Sequence, residues 1–71
     1  MSRDIVVRFG RQFQAIRRAK KITQVVLAER IGTDQATISR LENGRQEPCL
    51  RFLHELAGGL KMPMAELFRN L

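Results

Sequence analysis

Apolar residues recur at helical spacing along most of the chain, and glycine, proline or polar breaks divide the pattern into five stretches. Ile5, Phe9, Phe13 and Ile16 form one stripe, which predicts a first helix over about residues 4–20 with Asp4 as its N-cap. Gly10 is a weak point in it, about 1 kcal/mol less favourable than alanine, so a start only at Gly10 is also open. Thr23 is suited to cap a second helix over 24–31 with Leu27 and Ile31 inward, and Gly32 suits the left-handed position that ends it. Asp34 caps a third over 35–43, with Ile38 and Leu41 inward and Gly44 as its stop. Beyond Pro48, Leu50, Leu53, Leu56, Ala57 and Leu60 give the stripe of a fourth helix over 50–60, with Phe52 on its shoulder. Gly58 and Gly59 either weaken its last turn or permit close packing. Pro63 opens a short fifth helix over 63–70, gathering Met64, Leu67, Phe68 and Leu71 on one side. The expected fold is all-α, a compact five-helix bundle forming a single domain over 1–71.

The stretch from Thr23 to Asn43 is the most informative. Two short helices crossing at about 90–120° over a tight turn need a small residue where they approach, a glycine at the hinge, and apolar residues closing the angle. Ala28, Gly32 and the set Leu27, Ile31, Ile38 and Leu41 meet those demands. Ala36, Ser39, Arg40 and Asn43 fall on the outer side of the third helix, with Gln35 at its N-terminal edge. That face is slim and polar with one long cation, a shape that enters a major groove about 12 Å wide. Val25 and Val26 project outward from the second helix beside Glu29; flanking the core is the plainer reading, a protein-partner surface the sharper one.

Composition narrows the chemistry. Seventy-one residues predict one domain without room for a separate effector-binding module. No apolar run approaches the roughly 18 residues of a membrane span, and Met1-Ser2-Arg3-Asp4 does not open a secretory signal, so a cytoplasmic location off the membrane is expected. Cys49 is the only cysteine and His54, on the polar side of the fourth helix, the only histidine, which argues against a disulfide or a zinc site. No catalytic constellation or glycine-rich phosphate loop is present, so neither an enzyme nor a cofactor is expected. Net charge is +6, and residues 1–21 hold seven basic side chains against Asp4 alone. This favours a polyanion without distinguishing DNA, RNA or an anionic membrane. Arg8, Arg11 and Arg18 lie opposite the first apolar stripe and are expected to face solvent or a partner. The apolar excess at the other end makes Met62, Met64, Leu67, Phe68 and Leu71 candidates for a two-fold dimer contact.

With Ile22-Thr23-Gln24, Leu27-Ala28, Ile38-Ser39-Arg40-Leu41-Glu42, Asn43-Gly44, Pro48, Leu56-Ala57 and Glu66-Leu67-Phe68 in order, the chain resembles the Xre/Cro type of helix-turn-helix domain, the five-helix fold of lambdoid phage repressors and restriction-modification controller proteins. The likeness covers about Gly10 to Phe68. It implies that Gln35, Ala36, Ser39 and Arg40 lie at or near the DNA bases. It also implies that Gln24, Thr37, Asn43 and Arg45 reach the phosphate backbone, Gln24 bracing the reading helix as well. Arg17 and Glu42 match the family's structural ion pair. Two positions depart from the pattern: Val25 and Val26 replace residues usually polar or acidic, and Cys49 stands where a capping serine is usual. The implied function is a transcriptional regulator, a repressor or autoregulator of bacterial or phage origin and nucleoid-associated when bound, holding a palindromic operator as a homodimer on double-stranded DNA. Two rival expectations are a protein-interaction module, such as an antitoxin or bridging coactivator with a protein partner, and a non-specific nucleic-acid or anionic-surface binder. The phenylalanines fall mostly on core stripes and leave no stacking platform, which disfavours single-stranded RNA.

Overall fold

Three of the helix starts are made by side chains that accept the free amide protons of a first turn. In the computed structural model, which describes residues 4–71, Asp4 Oδ1 accepts from Val6 N at 2.8 Å and opens α1 (Ile5–Ala19). Thr23 Oγ1 accepts from Val26 N at 3.1 Å to open α2 (Gln24–Ile31), and Asp34 Oδ1 accepts from Thr37 N at 2.8 Å to open α3 (Gln35–Glu42). Cys49 precedes α4 (Leu50–Gly59) without a side-chain cap bond. Gly32, at φ 76°, takes the left-handed conformation that ends α2 and turns the chain into α3. Met1 to Arg3, including the charge of Arg3, lie outside the described residues.

Among the described residues there are no strands, and the α-helices number four rather than five. The last element, Met64–Phe68, is a 3₁₀ helix. Pro63 stands before it as its N-cap residue, and the carbonyl of Pro63 accepts from Glu66 N at 3.0 Å, the i→i+3 bond of the tighter winding. Five residues leave little room for an i→i+4 ladder, so the piece serves mainly to insert Leu67 into the core.

One cluster forms that core: Phe9 and Phe13 of α1, Leu27 and Ala28 of α2, Ile38 and Leu41 of α3, Leu56 and Ala57 of α4, then Leu60 and Leu67. Helix α3 packs on both α1 and α2, α4 packs on α2, and the 3₁₀ helix bridges α1 and α4. Gln12 Nε2 donates to the Leu67 carbonyl at 2.6 Å and fastens that bridge.

Several inward assignments need correction. Ile5 is 53% exposed and Leu50 72% exposed, each as the first residue of its helix, where fewer neighbouring turns cover it. Leu67 is fully buried and leaves the list of dimer candidates. Arg8 does not point freely outward; it is half-buried and its Nη2 donates to the Leu71 carbonyl at 3.2 Å. Gly10 does not interrupt α1. A Cβ there would stand 2.5 Å from the Leu41 carbonyl oxygen and 2.8 Å from that of Glu42, so its bare backbone is what lets α1 cross the end of α3. At Gly59 a Cβ would meet Leu27 and Ile31 at 2.7 Å, so close packing is the operative reading there.

Candidate nucleic-acid interface

Ile38, Leu41 and Glu42 anchor α3 to the rest of the chain, and its opposite side is free. Gln35, Ala36 and Arg40 are exposed on that side, as are Asn43 and Arg45 just after it, while Thr37 and Ser39 are half-buried. Asn43 Nδ2 donates to Ser39 Oγ at 3.4 Å, one turn back. The guanidinium of Arg40 is held along the helix: its Nη2 donates to Thr37 Oγ1 at 3.1 Å and its Nε to Gln46 Oε1 at 3.2 Å. Two exposed hydrogen bonds of this kind order the side chain weakly and exchange readily for stronger acceptors. Gln46 had no visible signal in the sequence, because its role depends on how the loop after α3 folds back.

Behind the exposed side of α3 lies a buried carboxylate. Arg17 Nε donates to Glu42 Oε2 at 2.6 Å and Arg17 Nη2 to Oε1 at 2.9 Å, a bidentate pair, while Arg17 Nη1 donates to the Ile22 carbonyl at 2.7 Å. Glu42 Oε1 also accepts from Gln24 Nε2 at 2.9 Å and Gln14 Nε2 at 3.2 Å. One carboxylate thus joins α1, α2 and α3. Burial pushes the Glu42 carboxyl upward, but the hydrogen bonds from Arg17 and Gln24, then the Arg17 charge and the Gln14 bond, outweigh it and hold the group below its ordinary 4.5. Gln14 was absent from the sequence-based set, although helical period puts it three residues before Arg17 on a neighbouring row.

The network reaches the surface through Gln24. Its Oε1 accepts from Gln35 Nε2 at 3.3 Å, so the first residue of α2 orients the first residue of α3. Gln24 retains a second amide proton at the N-terminus of α2, where unsatisfied backbone amides also point outward. Asp34 is held below its ordinary 3.8 by hydrogen bonds from the Thr37 side chain first and its backbone second, with the Arg40 charge adding to them against slight desolvation.

Other features stand apart from this face. Val25 and Val26 are 46% and 39% exposed on α2. Met62 and Met64 are half-buried against the core, whereas Phe68 and Leu71 are exposed at the rim of an open groove of about 460 Å³ that Ile5, Val6, Phe9 and Pro48 also line. Among the described residues no helix is long and apolar enough to cross a membrane, and no three His, Cys, Asp or Glu side chains converge as a metal site would require.

Residues 8–69 match the family described as "Helix-turn-helix domain". The chain is 32% identical over 69 residues to the control protein C.MunI of a Mycoplasma species, covering 96% of this chain and 93% of that one. It is 33% identical over 58 residues to the immunity repressor protein of Bacillus phage phi105, of which it spans 40%. The restriction-modification controller protein C.AhdI of Aeromonas hydrophila superposes with a TM-score of 0.86 at 32% identity, over 89% of this chain and 91% of that one. The match over nearly every described residue, together with α2, a left-handed Gly32 and α3 in order and packed on one another, places the chain in the helix-turn-helix family.

Proposed function

We propose that the chain is a sequence-specific transcriptional regulator, a repressor or autoregulator, that binds an inverted-repeat operator in double-stranded DNA as a homodimer, with α3 of each copy in the major groove. The observation that carries the reading is the division of α3 into a core-bound side and a slim exposed side bearing Gln35, Ala36 and Arg40, backed by the Gln35–Gln24–Glu42 hydrogen bonds. Similarity to a control protein, a controller protein and an immunity repressor supports it. Arg40 offers the planar fork that pairs with guanine O6 and N7, Gln35 the amide that pairs with adenine, and Ala36 a methyl for thymine. Gln24, Thr37, Asn43 and Arg45 border the same face and suit phosphates, which set register rather than sequence. Two copies would set their reading helices about 34–36 Å apart. Selection of bound sequences from a random duplex pool tests this directly: one enriched inverted repeat is expected, and a flat pool overturns the reading. Arg40→Ala is expected to lose about 1–3 kcal/mol on the selected operator and to relax preference at one base pair per half-site.

Ile5, Phe68 and Leu71 form the apolar rim best suited to the two-fold contact, while Met62 and Met64, half-buried against the core, do not line it. Ile5 touches no core requirement, and a carboxylate in the first turn of α1 suits the helix dipole. Ile5→Glu is therefore expected to leave the monomer's melting temperature intact while weakening self-association roughly tenfold or more, as a charge enters an apolar interface. Sedimentation equilibrium measures this, and an unchanged dimer constant would remove Ile5 from the interface. The exposed pair Val25 and Val26 supports a protein partner as a second reading, favoured if a partner is lost on Val25→Ser/Val26→Ser while the DNA preference stays flat.

A further inference from the structure

The charge excess of the chain is not on the reading helix. From Ile5 to Ala28 there is no acidic residue, so Arg11 and Arg18 of α1 lack the i,i+4 carboxylates that commonly accompany a solvated helix face, whereas Arg8 has Asp4 four residues before it. Arg11, Gln14 and Arg18 follow one another at spacings of three and four, which sets them in a single row along α1, and Lys21 stands in the turn just beyond the helix. Arg11, Arg18 and Lys21 are exposed. Among the described residues the ion pairs are Arg17–Glu42 and Arg69–Glu66, and neither involves this row.

Gln14 locates the row. It shares Glu42 Oε1 with Gln24, so this side of α1 adjoins the N-terminus of α2, whereas the other side is turned by Gln12 towards the 3₁₀ helix. The two ends of α1 also differ. Its first turn contributes Ile5 to the apolar groove, and a helix of 15 residues carries the chain about 22 Å from there to Arg18 and Lys21. With the groove near the two-fold axis, the cationic end points away from that axis, beyond the α2 N-terminus.

Resting on the regulator reading above, we propose that Arg11, Arg18 and Lys21 form a second DNA contact, a cationic rail that engages backbone phosphates on the outer flank of each half-site and lengthens the bound duplex without reading its bases. Duplex DNA presents closely spaced phosphates that a row of guanidinium and ammonium groups neutralises with release of counterions. Continuity with Gln24 favours DNA over a lipid surface as the occupant.

The test uses the duplex enriched by the wild-type chain from a random pool, prepared both with about ten flanking base pairs on each side and trimmed to the inverted repeat, because flank length separates inner from outer phosphates. The variant is Arg11→Gln/Arg18→Gln/Lys21→Asn; asparagine is chosen because Lys21 has φ 58° and asparagine tolerates that conformation. Thermal melting confirms that the variant folds. On the long duplex the salt slope is expected to be shallower by about 2–3 per subunit, at roughly 0.9 per phosphate, and affinity to fall about tenfold or more with base preference unchanged. Trimming the flanks is expected to weaken the wild type and leave the variant unaffected. An unchanged slope on the long duplex overturns the rail, as does an equal loss on long and trimmed duplexes, or a loss seen only on phosphatidylglycerol vesicles. A wild-type chain that enriches no sequence removes the regulator reading beneath it, whereas an enriched repeat with an unaltered slope removes the rail alone.

Discussion

Glu42→Ala is expected to remove a large share of the protein's folding stability. Removing one member of a buried ion pair costs about 3–5 kcal/mol, because the remaining charge keeps its desolvation without its partner. A domain near 70 residues has roughly 4–10 kcal/mol of stability in all. Here the loss strands Arg17, and it deprives Gln14 and Gln24 of a shared acceptor as well. Circular dichroism through a urea titration measures the change, and a variant within about 1 kcal/mol of wild type would show the pair to be dispensable. The same group predicts a pH response. Its folded pKa lies below the ordinary 4.5, so the stability it contributes is fully present above that value and is lost as pH falls through the folded pKa. Wild-type melting temperature should fall with acidification below about pH 4.5, and Glu42→Gln, with no proton to bind there, should show a flatter acid limb.

Gly10→Val is the second large effect, with an expected loss of about 3 kcal/mol or more from overpacking and an unfavourable β-branched residue in a helix. The new Cβ would meet the carbonyl oxygens of Leu41 and Glu42, which are backbone and held at the end of α3. Relief therefore requires α1 to move off α3, and that movement would also pull Arg17 from Glu42. Gly58 is the control, because a Cβ there meets nothing within 4 Å. Gly58→Ala should stabilise by up to about 1 kcal/mol through helix propensity. Equal effects at the two glycines would show that crowding at Gly10 is absorbed elsewhere.

These glycines mark the boundary of what could be read along the chain. The caps at Asp4, Thr23 and Asp34 were legible because each depends on a bond spanning two or three residues. Gly32 was legible for the same local reason. Gly10 carried the opposite sign: propensity counts it as a weakness, and only the passage of α3 behind it makes it a requirement. Helical period gives the direction in which Ile5 and Leu50 point but not how far another element covers them, and both stay largely exposed. Met62, Met64, Leu67, Phe68 and Leu71 are all apolar, so choosing the one that enters the core depended on the 3₁₀ winding. At the candidate interface, the exposed positions of Gln35, Ala36 and Arg40 follow from period alone. The Arg17–Glu42 pair came with the family resemblance, while Gln14 and Gln46 emerged only from three-dimensional packing.

Helix α3 assigns anchorage and exposure to different residues: Ile38, Leu41 and Glu42 on one side, Gln35, Ala36 and Arg40 on the other. Substitutions among the outer three disturb no buried volume, and surface changes of that sort usually alter stability by less than about 0.5 kcal/mol. On the proposed function, target preference is therefore free to drift between lineages while the scaffold stays put, and a diverged copy acquires a new binding site in few mutational steps without passing through an unstable ancestor.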